Sequence, residues 1–127
     1  MKKALFLIAT LATSFSLQAQ HTDFDMSKMK TYYIVFLKKG PHRDQDSLTA
    51  AKIQEGHLSH LGQLYKEGKI DLNGPFMDDG DIRGITVYNV SSEEEARRLA
   101  SEDPAVRSGR LVIEVHPWYA MQGSMLK

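Results

Sequence analysis

Residues 30–39 constrain the fold of this chain more than any other segment. Their central run, 31–37, reads TYYIVFL, in which β-branched and aromatic side chains follow one another without polar alternation. A strand with one face in water would alternate apolar and polar residues, so this run predicts a central strand that is covered on both faces. Gly40 and Pro41 then end the strand.

The segment 47–67 has the pattern of a long amphipathic helix, with Ser47 as its expected N-cap and Gly68 as the residue that ends it. At about 100° per residue, His57 falls at the centre of the apolar stripe, and His60 lies about 60° from that axis. A lone histidine on an apolar face is most often a hydrogen-bonded core residue. His57 therefore needs either a structural partner or a chemical role.

Three further strands and a second helix complete the pattern. The strands are expected at 70–73, 82–90 and 110–115. The helix begins at Ser92, which forms a capping box with Glu95, and it stops near Asp103 because a proline follows. Residues 104–109 are expected to form a loop. The order β-α-β-β-α-β predicts an α+β fold of the ferredoxin-like type, with a four-stranded antiparallel sheet and both helices on one face.

The other face of that sheet would be exposed in a monomer. In the fourth strand, Leu111, Ile113 and Val115 share the side that faces the helices, whereas Trp118 belongs to the opposite side. A second sheet from another copy of the chain would cover this opposite face, and it would also explain the doubly apolar first strand. We therefore expect a homodimer whose two sheets face each other in an α/β barrel.

The segment 1–19 has the layout of a signal peptide. Three residues with two lysines precede an apolar run, and Ala19 is a small residue suited to cleavage. The apolar run is short for a bilayer, which needs roughly 20 residues. We expect a periplasmic or secreted protein with no membrane attachment after cleavage. The rest divides into a flexible lead-in at 20–29, the domain at 30–119 and a C-terminal tail at 120–127.

The composition excludes several classes of function. The cleaved chain loses two of its 16 Lys and Arg residues and none of its 16 Asp and Glu residues, so its formal charge of −2 gives no reason to bind nucleic acid. The chain has no cysteine, which excludes disulfides and thiolate catalysis. No phosphate-binding loop or cofactor fingerprint is present in the sequence, so we expect no cofactor.

A metal site is not expected either. His57 and His60 are three positions apart in the predicted helix, close enough to share an ion. However, the helical wheel points the two side chains apart, and no carboxylate of the same helix has a convincing ligand spacing.

Seven short segments resemble the YCII-related (YciI-like) family of the dimeric α/β-barrel group. Together they span about 32–119, in the order and at the spacing of the family: 33–41, 56–61, 67–70, 74–76, 79–84, 102–106 and 115–119. The resemblance implies a ferredoxin-like dimer and a site built on a His–Asp dyad. By motif, the histidine corresponds to His57 and the aspartate to Asp103. The expected signal peptide is a departure, since most members of the family look cytoplasmic.

A His–Asp dyad has a clear chemical use. A carboxylate that accepts a hydrogen bond from one ring nitrogen fixes the tautomer and makes the other nitrogen a better base. Enzymes of the resembled family act on small cyclic or aromatic compounds, so we expect a cofactor-free lyase or isomerase with His57 and Asp103 as its catalytic residues. Two alternatives stay open: Asp103 could simply cap the backbone beside Pro104, and the pocket could belong to a non-catalytic binding or sensing module.

Candidate substrate-binding residues come from three places in the chain, namely Gly74, Pro75 and Phe76, where the backbone can approach a ligand closely, together with His60 and His116. His60 could instead lie on a solvated flank of the helix, and His116 could instead pack between the two sheets. Weaker candidates for polar contacts are Tyr32, Arg83 and Glu114.

Overall fold

The computed structural model describes residues 25–127. The predicted signal peptide, 1–19, and the first part of the predicted lead-in lie outside this range. In chain order the elements are a 3-10 helix at Met26–Lys28, β1 at Met29–Lys39, α1 at Ser47–Lys66, β2 at Ile70–Pro75, β3 at Ile82–Tyr88, α2 at Glu93–Ser101, α3 at Pro104–Arg107 and β4 at Leu111–Met121.

The four strands form one antiparallel sheet in the order β2-β3-β1-β4. β1 is therefore an inner strand, as its unbroken apolar run predicts. β2 lies at an edge of the sheet, which explains how Pro75 is accommodated there. The predicted ferredoxin-like α+β fold is confirmed.

The core lies between the sheet and the helices. Leu61 and Leu64 of α1 and Leu99 of α2 pack in one cluster with Val35 of β1 and Val115 of β4. These strand residues belong to the same face of the sheet, because Val35 and Val115 are directly paired. Both long helices thus cover one face, and burial of this face holds the fold together.

Two local details differ from the sequence predictions. The N-cap of α1 is Asp46 rather than Ser47, since the Asp46 carboxylate accepts the Thr49 N–H at 2.9 Å. Residues 104–107 form the short helix α3 instead of a loop, because Asp103 caps it and Pro104 is well suited to a first helical position. The predicted end of α1 is confirmed, as Gly68 follows the helix with φ of 71°.

The fourth strand is longer than the predicted 110–115. It pairs with β1 along its whole length, from Lys39↔Leu111 to Met29↔Met121. Pro117 interrupts the sequence pattern of a strand, but β4 lies at an edge of the sheet and loses no ladder hydrogen bond on its open side. The paired strands consequently extend past both bounds of the predicted domain, 30–119, into the predicted lead-in and tail.

The sheet face opposite the helices carries an aromatic and aliphatic surface. The ring centroids of Tyr32 and Trp118 lie 6.3 Å apart, and those of Phe36 and His116 lie 5.8 Å apart in a T-shaped arrangement. Trp118 keeps 45% of its surface exposed. Among residues 25–127, no helix is both long and apolar enough to cross a membrane.

Candidate active site

His57 lies in the middle of α1 and points towards α3. Its side chain is only 12% exposed, and its Nδ1 atom lies 2.6 Å from Oδ2 of Asp103. Since a carboxylate can only accept, Nδ1 donates in this bond. The Nε2 atom makes no hydrogen bond to any residue in the described range 25–127. The ring is thus held by one nitrogen and leaves the other available.

Asp103 joins α2 to α3 and is 2% exposed. Its Oδ1 atom accepts the backbone N–H of Ala105 at 2.8 Å, which is the N-cap bond of α3. Its Oδ2 atom accepts from His57. The capping role and the dyad, which the sequence left as alternatives, occur together in one carboxylate.

The close approach of α1 and α3 depends on Gly56. A Cβ atom at this position would lie 3.1 Å from Cγ and 3.3 Å from Cβ of Pro104. Those distances are tighter than ordinary van der Waals contact, so a larger residue would push the short helix away. Gly56 therefore lets Pro104, and with it Asp103, come within hydrogen-bond reach of His57.

Tyr88 lies in the core behind the dyad and is almost fully buried. Burial raises the pKa of its phenol far above the ordinary value, and the negative charges of Asp103 and Glu102 raise it further. The phenol consequently stays protonated throughout the physiological pH range and does not serve as a base.

A cavity of about 280 Å³ opens beside His57, between α1 and the β2–β3 side of the sheet. Its walls are formed by apolar residues, by the Gly74-Pro75 corner of β2 and by a set of polar side chains. The polar members are Arg43, Gln54, His57, Asn73, Arg83, Thr86 and Arg110. The volume is near the lower end of the usual range for ligand pockets, roughly 300–1,000 Å³, and suits a small molecule.

Of the predicted substrate-binding residues, the structure brings two to the cavity. Gly74 and Pro75 line it. The close backbone contact expected there, however, occurs at Gly84, where a Cβ atom would lie 2.8 Å from the Gly74 carbonyl oxygen; at Gly74 itself the space is open. Phe76 does not line the cavity, and it is more than a third exposed.

The two other histidines lie elsewhere. His60 donates from Nε2 to the Leu99 carbonyl at 2.9 Å, which ties α1 to α2. His116 is exposed on the far face of the sheet, where its Nε2 atom lies 2.7 Å from Glu114. That contact, followed by the one from Lys38, lowers the pKa of Glu114. Neither histidine lines the cavity beside His57.

Sequence reasoning missed Arg43, Arg110 and Thr86 and gave Arg83 little weight. Arg43 and Arg110 stand in loops that meet only in the folded chain, where Arg43 Nη1 donates to the Arg110 carbonyl at 2.8 Å. No local spacing in the sequence marks either arginine, since each has an acidic residue three or four positions further on, Asp46 and Glu114 respectively. Across residues 25–127, no three His, Asp or Glu side chains converge as ligands of a metal ion.

The topology and this site define a ferredoxin-like protein with a buried His–Asp pair beside a small cavity. The sequence model of the YCII-related domain matches residues 31–119, and the chain belongs to the YCII-related family. No curated protein matches the chain.

A solved structure with the same fold is 5-chloro-2-hydroxyhydroquinone dehydrochlorinase from Burkholderia phenoliruptrix AC1100, in complex with 2,5-dihydroxybenzoquinone. The two sequences are 23% identical, and the match covers 68% of this chain and 92% of that chain with a TM-score of 0.53. At this level of identity the likeness concerns the fold alone.

Proposed function

We propose that this chain is a small, cofactor-free enzyme that moves protons on a small organic molecule, in a lyase or isomerase reaction. The single observation that carries the proposal is the 2.6 Å bond from His57 Nδ1 to the buried carboxylate of Asp103, at the wall of a cavity. His57 is the proposed general base or acid, and Asp103 is its positioning partner.

The geometry supports this assignment in two ways. The hydrogen bond to Asp103 fixes the tautomer of His57 with its proton on Nδ1, which leaves the Nε2 lone pair as the basic site. The carboxylate also stabilises the imidazolium that forms when Nε2 takes a proton. Positioned acid–base catalysis of this kind contributes roughly 10²–10⁴-fold to a rate.

The related fold supports the reaction class. The dehydrochlorinase removes hydrogen chloride from its substrate, and its solved complex contains a dihydroxylated quinone. Such an elimination needs a group that takes a proton, which is the role proposed for His57. Hydroxylated rings and quinones are accordingly the first compounds to test.

The test is a screen for proton transfer with the purified protein in D₂O. A panel of hydroxylated aromatics, quinones and small cyclic ketones is incubated with the protein, and deuterium incorporation or product formation is followed by NMR. We expect His57→Ala and Asp103→Asn to lower any rate found by at least about 10²-fold. His60→Ala is the matched control and should keep the rate. Equal activity of His57→Ala and the unmodified protein would contradict the proposal.

The alternative is a binding or sensing module that uses the same pocket without turnover. One observation favours it. Asp103 also caps α3, so the His57–Asp103 bond joins two helices and has a structural use that requires no catalysis. A compound of the panel that raises the thermal midpoint of the protein in a separate melting experiment, but is never exchanged or converted in the NMR screen, would support the module and contradict the enzyme.

We also propose that the protein is a homodimer that buries the open face of the sheet. The support is the aromatic surface around Trp118 and Phe36, which the single chain leaves partly exposed. Size-exclusion chromatography with light scattering should give twice the mass of one chain at micromolar concentration. Trp118→Glu should shift the mass towards a monomer, and a monomeric unmodified protein would contradict the proposal.

Export to the periplasm or the medium is proposed from the signal-like segment 1–19. Fractionation of cells that express the full chain, followed by mass determination of the N-terminus, tests it. An uncleaved cytoplasmic chain would contradict it.

A further inference from the structure

Three arginines converge on the cavity that contains His57. Arg43 comes from the loop after β1, Arg83 from β3, and Arg110 from the residue before β4. No Asp or Glu belongs to the cavity wall within residues 25–127. The guanidinium group stays charged at all accessible pH values, so the cavity carries a concentrated positive charge that its own walls do not neutralise.

These arginines differ from those on the outer surface of the protein. Arg97 and Arg98 of α2 pair with Glu93 and Glu102 at 2.8 and 2.7 Å. Throughout the described range, by contrast, no carboxylate lies within ion-pair distance of any of the three cavity arginines. Positive groups gathered around a small space without counter-charges are the arrangement that recognises an anion.

The cavity arginines also keep most of their donors unused. Each bonds to the protein through Nη1 alone: Arg43 to the Arg110 carbonyl, Arg83 to the carbonyls of Asp78 and Gly80, and Arg110 to Gln45 Oε1. A guanidinium has five N–H donors in a planar fork. These bonds hold the side chains in place, while Nε and Nη2 have no partner among residues 25–127.

Thr86 adds an unpaired polar group to the same wall. It is 1% exposed, and its Oγ1 atom is the buried side-chain polar atom that lacks a hydrogen-bond partner in the described part of the chain. A buried hydroxyl without a partner carries a free-energy cost of about 1–3 kcal/mol. Thr86 belongs to the wall of the same cavity as the three arginines.

From these observations we propose that the molecule bound in this cavity carries a carboxylate, which Arg83 and Arg110 hold while the rest of the molecule lies beside His57 Nε2. The inference rests on the proposed function for the role of His57 and adds the class of substrate. A carboxylate matches the planar fork of arginine with two parallel hydrogen bonds. A neutral isostere such as a primary amide would place an N–H₂ group against these donors.

Binding of matched carboxylate and amide probes tests the proposal. The pairs are benzoate with benzamide, 4-hydroxybenzoate with 4-hydroxybenzamide, and cyclohexanecarboxylate with its amide, each titrated into the purified protein by calorimetry at low and high salt. We expect at least one carboxylate to bind about tenfold or more tightly than its amide, as loss of one charge-assisted bond predicts. The affinity should fall with added salt. Amides that bind as well as their carboxylates, or a panel in which no carboxylate binds, would overturn the proposal.

Variants of the arginines assign the binding to this cavity. Arg83→Met and Arg110→Met should each weaken carboxylate binding about tenfold, and Arg97→Met, on the outer face of α2, should leave it unchanged. Arg83 also holds the β2–β3 turn through two carbonyls. Arg83→Lys is therefore included, because it keeps the charge but loses the planar fork, and an intermediate affinity is expected. Unaltered affinity in both methionine variants would overturn the assignment.

His57→Ala separates this inference from the proposed function. It removes the base but not the arginines, so carboxylate binding should persist without proton transfer. If carboxylate binding persists but no variant changes turnover, the proposed enzymatic function is contradicted and the carboxylate site is still supported. Turnover that depends on His57 but is insensitive to both arginine variants would contradict the carboxylate site alone.

Discussion

Asp103 Oδ2 lies 2.6 Å from His57 Nδ1, although 46 positions separate the two residues in the chain. The other oxygen of the same carboxylate caps α3 by accepting the Ala105 N–H. One buried side chain thus orients the histidine of α1 and caps the N-terminus of α3. This double use makes the stability of α3 and the geometry of the dyad depend on each other.

The double role of Asp103 predicts different costs for two substitutions. Asp103→Asn keeps an oxygen for the cap but loses the charge-assisted bond to His57, so we expect about 1 kcal/mol of lost unfolding free energy. Asp103→Ala loses both bonds, and we expect about 2–3 kcal/mol. Urea unfolding measures both. At Asp46, which caps α1 on the surface, Asn should be nearly neutral and Ala should cost about 1 kcal/mol. Equal costs for the two Asp103 variants would contradict the double role.

Gly56 and Gly62 on α1 form a matched pair. A Cβ atom at Gly62 meets nothing within 4 Å, whereas one at Gly56 meets Pro104 at 3.1 Å. Gly62→Ala should therefore raise the unfolding free energy by about 0.5–1 kcal/mol through helix propensity. Gly56→Ala should lower it by about 1 kcal/mol, because overpacking outweighs that gain, and it should weaken the His57–Asp103 bond. Denaturant unfolding checks the sign, and equal stabilisation by both variants would contradict the account.

Thr86 offers a test that needs no ligand. Thr86→Val keeps the shape and removes a buried hydroxyl without a partner, so we expect the free energy of unfolding to rise by about 1 kcal/mol. Thr31→Val at an exposed position of β1 controls for the strand propensity of valine. A drop in stability for Thr86→Val would show that the hydroxyl has a partner in the unliganded protein.

Glu95 predicts a defined dependence of stability on pH. The hydrogen bond from Lys69, and then those from Ser91, hold the pKa of Glu95 at about 2, against 4.5 in the absence of such contacts. Between these values the unfolded chain binds a proton that the folded chain does not. The contribution of Glu95 is therefore present above pH 4.5 and is lost as pH falls towards 2.

Unfolding in urea at several pH values across this window measures the effect. Glu95→Gln should flatten the acid slope of stability. Glu94→Gln, on the same helix but without a side-chain hydrogen bond within residues 25–127, should leave the slope unchanged. An unaltered slope in Glu95→Gln would contradict the proposed origin of the shift.

The sequence predicts the fold well because the periodicity of its apolar residues indicates which faces of the helices and strands are buried. The central position of β1 and the place of His57 on the packing face of α1 both follow from it. The partner of His57 does not follow from spacing, and only the family resemblance indicated Asp103. The length of β4 was underestimated because the tolerance of Pro117 depends on the edge position, which is a property of the whole sheet.

The arginine cluster was beyond the reach of the sequence for a different reason. Arg43, Arg83 and Arg110 come from three separate segments, and each alone looks like an ordinary surface residue. What distinguishes them is a shared cavity without a counter-charge, which exists only after folding. His60 and His116, which were also candidate binding residues in the sequence, do not line this cavity.

The most direct test of the dyad is the tautomer of His57, read by long-range ¹⁵N–¹H NMR of the histidine rings at high pH. Asp103 can only accept, so His57 should carry its proton on Nδ1 and present a bare Nε2 to the cavity. His60 donates from Nε2 to the Leu99 carbonyl and should show the opposite tautomer in the same spectrum. Asp103→Asn should change the signals of His57 and leave those of His60. A proton on Nε2 of His57 in the unmodified protein would contradict the account.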